Sequence, residues 1–193
     1  MLTILDRQYP TEVIRSILGN HLRVEVADGE LFESAKMSVY NAIATAEMFT
    51  NRVLIDSLVT ITLDDLNSRI IELPTAPVRK IIEVRYRGAD NRWHNVDNYS
   101  LHGNAMRARI ELGEMPELTS ATALGRVEIE AHCGFESYGL DRETSKVTYP
   151  LPGEVEQAII LLAKTYFDGD TLDEMPSAAQ ILLQPYRIYP YGL

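Results

Sequence analysis

Hydrophobic residues along the chain form a helical opening, a block of short strands and a helical close. Apolar positions recur every three or four residues over 28–51, which is the spacing of an amphipathic helix with one buried face. A shorter helical run covers 11–18 and is expected to stop at Gly19-Asn20. Helical spacing returns over 152–167, and a last short helix is predicted over 177–183.

Between residues 57 and 133 the hydrophobic period changes to two. The runs 57–63, 82–87 and 127–132 each place apolar side chains at every second position, so Ile82 is expected to point inward. Residues 99–112 carry a turn signal between two such runs, which predicts a hairpin. Counting the runs predicts about seven short strands in this part of the chain.

This order of elements predicts an α+β fold, in which a bundle of N- and C-terminal helices is interrupted by a β-rich insertion. We assign residues 1–56 and 135–193 to a helical body with a C-terminal tail. Residues 57–134 form the β-rich insertion, and the glycine- and serine-containing stretch 134–140 is expected to be a flexible link back to the helices.

Composition narrows the class of protein. With 193 residues, 46% of them hydrophobic, the chain can bury a core as one domain with a large insertion. A net charge of -10 disfavours tight binding to nucleic acid. The single cysteine, Cys133, is expected to be a buried strand residue in a reducing compartment. With neither a signal peptide nor an apolar run long enough for a membrane span, we expect a soluble intracellular protein.

Candidate chemistry is sparse, and we predict no catalytic, cofactor-binding or metal-binding residues. The four histidines lack the helical spacing of a zinc protease. Residues 168–174 form an acidic run without the spaced ligands of a calcium loop. The alternative from a different class is a small metal-dependent hydrolase that uses His94, His102 or His132.

The aromatic C-terminal tail is the strongest candidate for a binding surface. Its two prolines and glycine disfavour a regular helix, and tyrosine and arginine are enriched at interface hot spots. We predict contact with a partner or a neighbouring subunit, against the alternative that the tail packs back on its own domain. The predicted interface residues are Pro185, Tyr186, Arg187, Ile188, Tyr189 and Tyr191.

Six blocks in order along the chain resemble the head–tail connector (adaptor) proteins of long-tailed bacteriophages and prophages, in their longer subfamily with a β-rich insertion. The block 46–54 is similar to the family's Glu-x-x-Thr-Gly-Arg-x-Leu phrase, with Asn51 in place of glycine. The block 182–187 matches its Leu-Leu-x-Pro-Tyr-Arg ending, although the acidic run 168–174 departs from the family. The remaining blocks are 19–24, 73–86, 127–135 and 152–167.

The resemblance implies a structural protein without catalysis, located in the virion neck after synthesis in the bacterial host cytoplasm. Such adaptors form a ring, commonly dodecameric, that binds the portal protein and a neck or tail completion protein. DNA passes through the channel without specific binding, and no membrane is involved. The C-terminal segment often engages the portal, so we expect deletion of 185–193 to leave the fold intact and abolish attachment.

Two helical surfaces are candidates for contact between subunits of such a ring. One is the nearly all-apolar stretch 158–163, and the other is the small-residue face of the 28–51 helix, which holds Ala35, Ala42 and Ala46. The alternative within the same virion is another neck or tail part, namely a stopper or a tail completion protein.

Overall fold

The protein divides into two compact units. The structure, a computed structural model, describes residues 1–9, 11–25, 28–120, 124–135, 150–169 and 175–189, without the side chains of residues 11 and 12. One unit contains Met1–Gln8 and Asp56–Phe135, and the other contains Tyr9–Ile55 and the described residues from Pro150 onward. We refer to them as the β unit and the helical unit. Most of the predicted link 134–140 and of the acidic run 168–174 lies outside the described residues.

Helices appear close to where the periodicity placed them. They are α1 (Thr11–Ser16), α2 (Glu30–Thr50), α3 (Gly153–Phe167) and α4 (Ser177–Leu183), and a short 3₁₀ turn, Gln184–Tyr186, follows α4. The predicted stop at Gly19-Asn20 is wrong, because the chain widens into a π-helical segment, Ile17–Leu22. That segment ends at Arg23, whose left-handed φ of 57° lets the Val24 amide donate to the Leu18 carbonyl at 3.0 Å.

The core of the helical unit is the packing of α2 against α3. Ala35, Ala42 and Ala46 of α2 are fully buried, as are Ala158 and Ala163 of α3. Because alanine side chains are small, the backbones of the two helices can approach closely. A hydrogen bond of 2.6 Å joins the hydroxyls of Thr45 on α2 and Tyr166 on α3. The two surfaces offered above for subunit contact are therefore largely used inside the unit, because each helix covers the apolar face of the other.

The β unit contains two antiparallel sheets. Its strands are β1 (Leu2–Arg7), β2 (Ser57–Leu63), β3 (Ile70–Glu72), β4 (Val78–Arg87), β5 (Trp93–Asn95), β6 (Tyr99–Gly103), β7 (Ala108–Leu112) and β8 (Val127–Cys133). One sheet has the order β1-β2-β8-β4-β5 and the other the order β3-β7-β6. Seven of these strands lie between residues 57 and 133, and the predicted hairpin is the β6–β7 pair. Together with the four helices they make an α+β fold.

Strand β8 lies at the centre of the larger sheet and shows the predicted alternation. Val127, Ile129 and Ala131 are buried, whereas the residues between them are half-buried. Cys133 is fully buried, as predicted, and burial raises the pKa of its thiol to about 12. The expectation for Ile82 is wrong, because the register of β4 on β8 shifts between Ile81 and Glu83 and leaves Ile82 exposed.

The first eight residues belong to the β unit, although the sequence analysis placed them in the helical body. Strand β1 pairs with β2 along the edge of the larger sheet, from Leu2 opposite Ile61 to Arg7 opposite Ser57. Its residues do not alternate regularly between buried and exposed positions, because the pairing register shifts between Ile4 and Asp6. Most of its residues are exposed. Among the described residues, no helix is both long and apolar enough to cross a membrane.

Candidate assembly site at the end of the second helix

The end of α2 is a tight turn held by backbone geometry. Asn51 caps the helix in the left-handed region, with φ 52°, and its amide donates to the Glu47 carbonyl. Glycine and asparagine adopt this conformation more readily than other residues. Asparagine at position 51 therefore suits this left-handed turn.

A buried carboxylate fixes the direction in which the chain leaves α2. Glu47 is only 8% exposed. Its Oε1 accepts hydrogen bonds from the amides of Leu54 at 2.8 Å and Ile55 at 3.4 Å. A buried carboxylate is tolerated when amide donors compensate for lost water. Glu47 therefore links the last helical turn to the segment that follows it.

The first part of the C-terminal tail is bound to this turn. The Ile188 amide donates to the Thr50 carbonyl at 2.8 Å, and the Asn51 side-chain amide donates to the Ile188 carbonyl at 3.1 Å. The Arg52 guanidinium donates through Nε to the Tyr186 carbonyl. The tail up to residue 189 thus has its backbone anchored on its own helical unit, which is the alternative considered above.

Arg52 is the most buried cation of this anchor. It is only 4% exposed, and burial lowers its pKa to about 10, partly opposed by the charge interaction with Tyr186. A buried guanidinium is costly unless its donors find acceptors. The Tyr186 carbonyl is such an acceptor, so the position of the tail and the burial of Arg52 depend on each other.

Side chains of the anchored tail form a small polar and aromatic surface. The Arg187 guanidinium lies 5.2 Å from the ring centres of both Phe49 and Tyr189. The Gln184 side-chain amide donates to the Tyr189 hydroxyl at 2.6 Å. Tyr189 nevertheless remains 59% exposed.

Tyr186 connects the tail to the start of α3. Its hydroxyl donates to a Glu154 carboxylate oxygen at 3.2 Å. Burial is the main reason that the pKa of Tyr186 is raised, and the hydrogen bond to Glu154 raises it further.

The structure brings five of the six predicted interface residues together at this site. Pro185, Arg187 and Tyr189 are exposed, whereas Tyr186 and Ile188 are half-buried against the helical unit. Tyr191 lies outside the described residues. Thr50, Asn51 and Arg52, which hold the tail, were not predicted, because nothing in their local pattern indicates a contact more than 130 positions away.

The histidines of the β unit lie apart, each next to a different carboxylate. His94 Nε2 is 2.8 Å from Asp90 Oδ1, and this hydrogen bond is the main reason that the pKa of Asp90 is lowered. His102 and His132 lie 3.6 Å and 3.9 Å from Glu111 and Asp56. Within the described ranges, histidine, cysteine and acidic side chains form no group of three that could hold a metal ion.

Solved structures of gene transfer agent (GTA) particles contain chains of the same fold. One, in the neck of an empty particle with C6 symmetry, has a TM-score of 0.75 and 23% sequence identity. Another, in the virion of the native particle, has a TM-score of 0.73 and 25% identity. A third, in the native neck with C12 symmetry, has a TM-score of 0.73 and 26% identity.

These similarities extend along the whole chain. Each alignment covers 100% of this chain and 97% of the other. No protein-family model and no curated protein matches the sequence.

Proposed function

We propose that this chain is a head–tail adaptor of a phage-like particle. In this role its copies form a ring, commonly of twelve, below the portal protein. The ring extends the channel through which DNA leaves the capsid and joins the capsid to a neck or tail completion protein. The protein acts by assembly and has no catalytic step.

The observation that carries this proposal is the full-length similarity to chains of gene transfer agent particles, two of them described in the neck. Both units take part in that similarity, so it goes beyond one shared supersecondary motif. Necks with C6 and C12 symmetry are assemblies of repeated subunits, which supports a ring for this chain. The six sequence blocks that resemble the adaptor family support the same role independently.

The anchored tail supports contact with the portal. Its backbone is bound to the end of α2, while Pro185, Arg187 and Tyr189 remain exposed. A pre-ordered aromatic and cationic surface loses less conformational entropy on binding than a free tail would. We therefore assign the portal contact to this surface and to the residues that follow it.

The net charge fits a channel that DNA must pass. A charge of -10 gives the chain little attraction for phosphates, so an acidic wall would not retain the DNA.

Light scattering of the full-length protein, alone and mixed with the portal of its own particle, tests the proposal. We expect a portal-dependent complex whose mass corresponds to a ring of copies on the portal, with ring-shaped particles in electron micrographs. A protein that ignores the portal and binds the end of the tail instead would favour a tail completion role. Binding to neither would contradict a neck function.

A further inference from the structure

The outward face of α2 carries no charge from Met37 onward, whereas Glu30 and Glu33 are exposed at the start of the helix. From Ser34 onward its exposed positions lie three or four residues apart and are Ser34, Met37, Asn41, Ala44 and Met48. Met37 is 53% exposed and Met48 is 75% exposed. Charged residues make up 24% of the chain, yet residues 37–46 contain none. We call this face the α2 stripe.

A second uncharged surface lies on α4. This helix contains no charged residue, and its exposed positions include Ala178 and Ile181, the latter 73% exposed. By contrast, the outward positions of α3 include Glu154 and Lys164.

We infer that the α2 stripe of one copy packs against the exposed face of α4 on the next copy. This inference rests on the proposed ring. A closed ring joins two different surfaces of the same subunit, and these two faces lie on different helices. Because each copy carries a net charge of -10, two copies repel each other electrostatically. This repulsion opposes contact least where both contacting surfaces are uncharged. Exposed methionines also adapt well to a partner's surface.

Matched charge insertions in the full-length protein test this contact. We expect Met48→Glu and Ile181→Glu each to weaken self-association by at least about tenfold, because a carboxylate would be buried without a partner. Met115→Glu is the control, since Met115 is an exposed methionine of the β unit and the change in net charge is the same. Sedimentation equilibrium over a concentration series, with each protein alone and mixed with the portal, measures association, and circular dichroism verifies folding. Equal assembly by all three variants, whether alone or on the portal, would overturn the inference, as would a wild type that stays monomeric in both samples.

Mixing the two variants tests the head-to-tail geometry. The Met48→Glu protein retains its α4 face and the Ile181→Glu protein retains its α2 stripe, so the mixture is expected to form one-to-one pairs and no larger species. Pairs formed by either variant alone would contradict a contact between two different surfaces. If the protein is found in the neck but both variants are incorporated normally, only this contact is wrong. If the wild type is absent from the neck, the proposed function itself fails.

Discussion

Replacing Arg52 with methionine tests whether the anchor holds the tail in place. The guanidinium of Arg52 donates to the Tyr186 carbonyl while its stem is buried in the helical unit. Methionine keeps a flexible apolar side chain and removes the donor. We expect the Arg52→Met protein to fold and to release the tail from the end of α2 more often than the wild type.

The size of this effect follows from the bond that is lost. A hydrogen bond that involves a charged group contributes about 1.5–3 kcal/mol. Because about 1.4 kcal/mol corresponds to a factor of ten, local opening of the tail should increase by about tenfold to a hundredfold. The free energy of global unfolding should change less, since methionine also removes the cost of burying the guanidinium.

Hydrogen exchange at the Ile188 amide reports this opening directly, because that amide donates to the Thr50 carbonyl at 2.8 Å. Its exchange rate should rise in the Arg52→Met protein and stay at the wild-type value in Arg92→Met, a matched change at an exposed arginine of the β unit. An unchanged Ile188 exchange rate in a folded Arg52→Met protein would show that Arg52 does not hold the tail in place.

Three further predictions concern stability. Tyr166→Phe removes the hydroxyl that bonds Thr45 and should lower the free energy of unfolding by about 1 kcal/mol in urea titrations; no change would mean that the bond contributes nothing net. The buried Cys133 thiol keeps its proton to about pH 12, whereas the thiol of the unfolded chain loses it near pH 9.0. The free energy of unfolding should therefore fall between pH 9.0 and about pH 12, and it should fall less in Cys133→Ala. Parallel pH profiles of the two proteins would contradict this. Deleting 184–193 removes the anchor and should lower the melting temperature; an unchanged melting temperature would show that the anchor does not stabilise the fold.

Hydrophobic periodicity was sufficient to predict the elements that bury one regular face. Strand β8 alternates without interruption, and Val127, Ile129 and Ala131 are buried as expected. Where the backbone departs from regular geometry, the pattern failed. The register shift in β4 exposes Ile82, and the π-helical segment runs through Gly19, where a stop was expected.

Only part of the candidate site could be predicted from the sequence, because the rest depends on contacts between distant parts of the chain. The aromatic composition of the tail marked Tyr186 and Tyr189 as contact residues. The groups that hold the tail, including the carbonyl of Thr50 and the guanidinium of Arg52, are specified by long-range geometry. Backbone acceptors are present at every residue, so no local sequence signal identifies the one that is used.

Cryo-electron microscopy of the particle that contains this chain shows whether the protein is a neck adaptor. We expect a ring of copies of this chain in the neck, in contact with the portal and surrounding the DNA channel. A reconstruction in which other proteins account for all the neck density, or in which this chain lies at the far end of the tail, would contradict it.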